Sequence, residues 1–302
     1  MEKNKLAGTQ TALVTPFDST GKIDYQATEK LVEHQISGGV SALVTVGTTG
    51  ESPTLSHSEH IEYIRNVAQL TSQRVPIVAG TGSNATSEAT QLVKEADNAG
   101  ADAHLQVAPY YNKPNQEGLY QHFSAIAAAT TNPIILYSIP GRCGIQIDVD
   151  TMARLYEAHP HILGVKEAGG SSDRISEIRQ KLGPDYLILS GDDSNTLPFM
   201  SCGGNGVISV ASNLVPQAVS AMVNAAQNND YATATRMHLE LFPLFRSLFL
   251  EPNPAPCKHA MHHWGYLSTP DVRSPLCHLN KENRAKLEEC LKTLEQYRNS
   301  NS

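Results

Sequence analysis

Cysteine is scarce in this chain and badly placed for pairing. The five residues, Cys143, Cys202, Cys257, Cys277 and Cys290, are odd in number, widely scattered and form no C-x-x-C pair. That argues against a disulfide framework or a zinc site and for a reducing compartment, the cytoplasm. Long apolar runs are also missing: none is long enough to span a bilayer. The opening "MEKNKLAGTQTALVTPF" lacks the apolar region of a secretory signal, so no membrane partner is expected. Nor is there a basic stripe. Lysines and arginines number 23 against 30 acidic residues, a formal net charge of -7 with both signs mixed along the chain, which speaks against nucleic acid. No G-x-G-x-x-G follows the first strand-like run, so the main signal for a doubly wound dinucleotide fold is lacking.

What is present is a regular alternation. Strand-like runs occur at "TALVTPF" (11–17), "ALVTVG" (42–47), "PIVAGTG" (76–82), "AHLQVAP" (103–109), "PIILYSIP" (133–140), "ILGVKEA" (162–168), "YLILSG" (186–191) and "GVISVAS" (206–212). Most are dominated by apolar residues rather than alternating, as expected of a sheet covered on both faces. Helical patterns lie between them. Asp24 opens one that ends at Gly38-Gly39, Ser56 and Glu59 form a capping box, Thr86 opens another that closes at Gly100, and Asp148 opens "DVDTMARLYEAH". Eight strand-then-helix units predict an α/β fold, a (β/α)8 TIM barrel, over residues 1–228. From there the strands stop. "YATATRMHLELFPLFRSLFL", "APCKHAMHHWGYL" and "KENRAKLEECLKTLEQYRN" read as a helical C-terminal extension over 229–302, with prolines at 252, 254 and 256 marking its first junction.

Barrel enzymes build their sites at the C-terminal ends of the strands. Those ends carry Thr15-Pro16-Phe17, then Thr48, Thr49, Glu51 and Ser52 in "GTTGES", Tyr110, Tyr111 and Lys113 in "APYYNKP", Tyr137 followed by Arg142 in "PGRCG", Lys166, Gly191-Asp192-Asp193, and Ile208-Ser209. The set contains hydroxyls, phenols, one arginine and lysines, and no histidine, which counts against a His-ligated metal. Two aspartates after the seventh strand would repel a phosphate, so a small unphosphorylated acid is the expected substrate.

Lys166 sits within the apolar run "ILGVKEAGG", where an unpaired ammonium ion is costly. The plain reading is a lysine that snorkels into solvent beside Glu167. The chemical reading is an amine kept partly neutral by desolvation, able to form a Schiff base with a carbonyl compound. Tyr137, one strand away, would move protons, and the backbone N–H groups of the Gly47–Gly50 turn with Thr48 and Thr49 would hold a carboxylate. The concurrence of these parts favours the chemical reading, and strand alternation sends Glu167 to the opposite face.

Together these segments, with "AGTGSNAT", "PYYNKPNQEG", "GVISVASN" and "NPAPCKHAM", resemble the dihydrodipicolinate synthase branch of the pyruvate-dependent class I aldolase family, over essentially the whole chain and in family order. The resemblance implies a lyase with no cofactor and no metal. It implies that pyruvate forms an imine with Lys166, loses a methyl proton and adds to L-aspartate 4-semialdehyde. Ring closure would then give 4-hydroxy-tetrahydrodipicolinate, the committed step of lysine synthesis through diaminopimelate. It further implies that Tyr137, Thr48 and Tyr111 form a proton relay, with Tyr111 reaching into a neighbouring subunit's site. Thr49 would hold the pyruvate carboxylate, Arg142 the carboxylate of the aldehyde, and Gly191 and Ile208 would line the site. The assembly implied is a homotetramer, a dimer of dimers, with L-lysine as feedback inhibitor at Ser52, His57, His60, Asn84, Glu88 and Tyr110. By spacing alone the last group reads as solvated helix faces.

Two positions depart from the family pattern: Cys143 stands where threonine is usual, and Cys257 where valine is usual. Cys143 beside Arg142 suggests sensitivity to thiol reagents. His259, His262 and His263 fall at i, i+3 and i+4 on one expected helix, but no carboxylate joins them at H-E-x-x-H spacing, and a surface or interface cluster is expected. Among relatives, a sialic-acid lyase would share Lys166 and Tyr137; Arg142, suited to clamping a short acidic aldehyde, argues against it. A non-catalytic binding barrel would need none of these residues together.

Overall fold

In the computed structural model, which describes residues 3–298, eight parallel strands close on themselves in chain order. They are β1 (Gly8–Ala12), β2 (Ala42–Thr45), β3 (Ile77–Gly80), β4 (Ala103–Val107), β5 (Ile134–Ser138), β6 (Ile162–Glu167), β7 (Leu187–Ser190) and β8 (Gly206–Ser209). Around them run α1 (Tyr25–Ser37), α2 (His57–Thr71), α3 (Thr86–Ala99), α4 (Gln116–Ala127), α5 (Pro140–Cys143), α6 (Val149–Ala158), α7 (Ser172–Leu182), α8 (Thr196–Ser201) and α9 (Pro216–Gln227). After α9 the described residues form further helices: α10 (Tyr231–Ser247), α11 (Ala255–His263), α12 (Lys281–Lys292) and α13 (Glu295–Arg298). This is the (β/α)8 barrel with C-terminal helices.

The strands are apolar because both of their faces are buried. Ala12, Val44, Val78, Leu105, Leu189 and Ile208 fill the barrel interior. Their neighbours along the strands, such as Leu43, Ile77 and Val207, face the helices. The start signals act locally. Asp24 accepts from the Ala27 N–H and caps α1, and Ser56 and Glu59 bond reciprocally at the start of α2, each satisfying N–H groups that the helix itself cannot. The extension shares the barrel's core: Leu241 and Phe245 of α10, Cys257 and Met261 of α11, and Leu287 and Leu291 of α12 join the same apolar cluster as Leu13, Leu43 and Val207.

The first strand corrects the sequence reading. The apolar segment 11–17 was the natural choice, yet the strand is "GTQTA", with only Thr11 and Ala12 in common. Two of its buried polar residues find partners for their donor groups: Gln10 Nε2 donates to the Leu6 carbonyl at 2.6 Å and the Thr11 hydroxyl to Gln35 Oε1 at 2.7 Å. A periodicity argument cannot see such pairs, since the partners lie in other elements. Among the described residues no helix is long and apolar enough to cross a membrane.

Candidate active site

Lys166 is the penultimate residue of β6. It lies in register between Tyr137 of β5 and Leu189 of β7 and is only 6% exposed. Glu167 points the other way: it is buried against α7, where Arg174 Nε donates to its Oε2 at 2.7 Å and the Gly169 N–H to its Oε1 at 2.8 Å. Glu167 is therefore Arg174's partner, and Lys166 forms no ion pair among the described residues. Burial is the main cause that brings the Lys166 pKa down to about 7. Asp193 opposes that fall and Arg142 adds to it. The amine is half neutral near pH 7 and stands 4.3 Å above the centroid of the Tyr137 ring.

Tyr137 is equally enclosed. Burial raises its phenol to about 12, with Arg142 and a hydrogen bond from Thr48 pulling it back part of the way. The phenol is thus protonated and coupled to a second hydroxyl, as a proton donor and acceptor should be. Thr48 and Thr49 sit on a tight turn after β2. Val46 and Glu51, at its two ends, both hold positive φ angles of 49° and 57°, and at Gly80 an added Cβ would lie 2.5 Å from the Val46 carbonyl oxygen, so only glycine allows the turn to pack against β3. A small cavity of about 40 Å³ lies between Thr48, Ser52, Gly82, Val107 and Tyr137, large enough for a water molecule.

Gly191 and Ile208 complete the wall around the amine. A Cβ on Gly191 would meet Ala168 Cβ at 2.6 Å and Lys166 Cε at 3.2 Å, so a side chain there would collide with the lysine's own approach. Ile208 lines the interior beside Tyr137 and Leu189. Asp193, one of the two aspartates after β7, faces inward. It is 1% exposed and accepts from the Ser209 hydroxyl at 2.5 Å and from the Val210 and Ala211 N–H groups at 2.9 and 3.1 Å. Burial still raises its pKa to about 6. Asp192 caps the following turn through Ser194. Arg142, on α5, is exposed, with its guanidinium free of any ion pair among the described residues. Cys143, by contrast, is 2% exposed, donates to the Ala108 carbonyl, and has its thiol pushed up to about 11 by burial. Desolvation here outweighs the neighbouring charge, which speaks against a reactive thiol beside Arg142.

A profile of the dihydrodipicolinate synthetase family matches residues 5–294. The chain belongs to the dihydrodipicolinate synthetase family. The 4-hydroxy-tetrahydrodipicolinate synthase of Persephonella marina is 46% identical over 94% of this chain and 97% of its own. The chloride-inhibited dihydrodipicolinate synthase of Acinetobacter baumannii, solved with pyruvate, is 42% identical, with a TM-score of 0.93 over 96% of this chain and 99% of that one. The enzyme from Cyanidioschyzon merolae, solved with lysine bound, is 39% identical, with a TM-score of 0.93 over 97% and 99%.

In this dihydrodipicolinate synthetase-family chain a second group of residues gathers away from Lys166. His57 Nε2 lies 2.6 Å from Glu88 Oε1, the Ser83 hydroxyl donates to Glu88 Oε2, and Asn84 donates to the Tyr110 carbonyl at 3.1 Å. His60 is not on a solvated face: it is 6% exposed, bonded to the Gly80 carbonyl at 2.8 Å, and burial lowers its pKa. Ser52 stands at the cavity beside Thr48. Tyr111 is 91% exposed on a backbone with φ 72°, a rare conformation for an aromatic residue. The histidine triplet divides: His259 and His263 face Glu288, the latter at 3.9 Å, and His262 turns away. His259 is 7% exposed and lies 3.0 Å from Glu288, while His262 bonds to the Leu267 carbonyl; Glu288 is also held by Arg284. Among the described residues no three potential metal ligands converge.

The sequence reading missed Lys258. It is a second buried lysine, with its amine 2.5 Å from Glu51 Oε1 and both side chains fully enclosed. A signal was available: Cys257, Ala260, Met261 and Trp264 form an apolar arc at helical spacing, and Lys258 stands at its edge.

Proposed function

We propose that the protein condenses pyruvate with L-aspartate 4-semialdehyde to 4-hydroxy-tetrahydrodipicolinate, the committed step of lysine synthesis through diaminopimelate. The observation that carries this reading is Lys166: a buried amine with no ion-pair partner among the described residues, a pKa near 7, and a phenol against it. The other buried lysine has a carboxylate partner; this one is left uncompensated, which costs stability unless the neutral amine is used.

Neutral Lys166 attacks the ketone of pyruvate and water leaves, giving a protonated imine. The imine draws electrons from the methyl group, a proton leaves, and the enamine adds to the aldehyde carbon. The substrate's own amine then attacks the imine carbon and releases Lys166. Tyr137 moves the protons, coupled to Thr48 and, in the assembled enzyme, to Tyr111 of a neighbouring subunit; a tyrosine so largely exposed on a constrained turn suits an interface. Thr49 and the turn's N–H groups bind the pyruvate carboxylate. Arg142 takes the aldehyde's carboxylate bidentately, and Gly191 and Ile208 shape the space. Barrel (1–228) and extension (229–302) act as one catalytic unit.

The same reading makes L-lysine a feedback inhibitor at Ser52, His57, His60, Asn84, Glu88 and Tyr110, with Glu88 receiving the α-ammonium group. The homotetramer, a dimer of dimers, and a cytoplasmic location belong to it too; five free cysteines suit a reducing compartment.

The test is borohydride reduction in the presence of pyruvate. A mass increase located on Lys166 is expected; the absence of any adduct there refutes the mechanism. Turnover with aspartate semialdehyde rather than a sialic acid then identifies the acceptor.

A further inference from the structure

The Glu51–Lys258 ion pair has no part in the chemistry above, yet among the described residues it is the most enclosed pair of opposite charges. It joins two segments 207 residues apart: the turn after β2 and helix α11 of the extension. Both Glu51 oxygens have a close neighbour. Its Oε1 meets Lys258 Nζ at 2.5 Å, and its Oε2 accepts from the Arg273 N–H at 2.9 Å. Lys258 is held as well: its amine donates to the Asp271 carbonyl at 2.9 Å and stands 3.9 Å over the Phe17 ring.

A buried ion pair is a poor way to gain stability, because desolvating both charges offsets most of their attraction and two apolar side chains would serve as well. What it provides is direction. Glu51 sits in the left-handed region at φ 57°, which a non-glycine residue holds only when its surroundings determine it. The surroundings here are these ionic and backbone contacts. The three residues before Glu51 include Thr48 and Thr49, whose hydroxyls and N–H groups face the substrate's carboxylate in the reading above. A second tie from the same extension supports the arrangement. Asn253 Nδ2 donates to Thr49 Oγ1 at 2.9 Å, so the Thr49 hydroxyl already accepts one bond and its own proton is left to be donated.

We propose that Glu51 and Lys258 are positioning residues: their ion pair holds the Gly47–Glu51 turn in the conformation that receives the carboxylate of the keto acid. The inference rests on Lys166 forming an imine with pyruvate. In it the C-terminal extension is part of the binding site, because it supplies the cation that fixes the turn.

The experiment uses full-length Glu51→Gln and Lys258→Met variants and titrates borohydride trapping at Lys166 with two ketones, pyruvate and its uncharged methyl ester. Each variant is expected to need about tenfold more pyruvate for half-maximal trapping, the loss typical of one misplaced hydrogen bond to a charged group. Trapping of methyl pyruvate is expected to stay within about twofold of wild type, since the amine and its pocket are untouched. An equal loss with both ketones makes the pair a general structural element and overturns the proposal; so does no loss with either. Failure of both variants to fold makes the pair a determinant of folding, with the same consequence. If the wild-type protein itself traps no pyruvate, the functional reading falls first and this inference with it, whereas trapping by wild type with unchanged variants removes this inference alone.

Discussion

Replacing the proposed nucleophile should make the protein more stable. Lys166 has an ordinary value of 10.5 in the unfolded chain and about 7 in the folded one. Between those values the unfolded state holds a proton that the folded state has released, so wild-type stability rises with pH across that window. The penalty relative to a neutral side chain is full below pH 7 and disappears above about pH 10.5. At 1.36 kcal/mol per pH unit it amounts to about 4 kcal/mol at pH 7 and about 2 kcal/mol at pH 9. Lys166→Met keeps the length of the side chain, removes the titration and fits the apolar company of Leu189 and Ile208. The variant should therefore be inactive yet unfold at higher urea concentration than wild type, with a difference that roughly halves between pH 7 and pH 9. Paired urea titrations followed by circular dichroism at pH 7, 8 and 9 measure this, and ionisable groups that do not interact with Lys166 cancel in the comparison. Asp193, raised by burial to about 6, is largely ionised from pH 7 upward, and its pull on the amine is already part of the Lys166 value. Equal or lower stability of the variant at pH 7, or a gain independent of pH, would refute the claim that burial without a partner sets the state of Lys166.

Three further outcomes follow from the geometry. Tyr137→Phe keeps the ring beside the lysine but removes the proton carrier, so borohydride should still trap pyruvate on Lys166 while turnover falls by a factor of about 10² to 10⁴. Arg142→Ala should raise the KM for aspartate semialdehyde by about tenfold or more and leave pyruvate trapping unchanged, because its guanidinium is exposed and forms no ion pair among the described residues; an equal effect on both substrates would contradict its assignment. Glu88→Gln leaves the catalytic residues alone and removes the charge that Ser83 and His57 now stabilise, so turnover should persist while inhibition by millimolar L-lysine is lost in steady-state assays.

The barrel was legible wherever hydrophobicity alone decided the strand. β2 to β8 all fall within apolar runs, because a parallel strand covered on both faces leaves no room for alternation. β1 was misread for the complementary reason: Gln10 and Thr11 are polar and buried, and what permits this is a carbonyl and a glutamine from other elements. The two buried lysines show the same limit in the site. Lys166 stood out because its strand is otherwise apolar. Lys258 did not, because "CKHAMHH" looks like the polar face of a helix, and the carboxylate that neutralises it comes from the far end of the chain. Asp193 was visible, but the Ser209 hydroxyl and the Val210 and Ala211 N–H groups that hold it in the interior were not. In each case the chemistry-bearing side chain was visible and its partner was not. A lysine without a partner and a lysine with one are identical in sequence, and that difference separates a nucleophile from a structural cation.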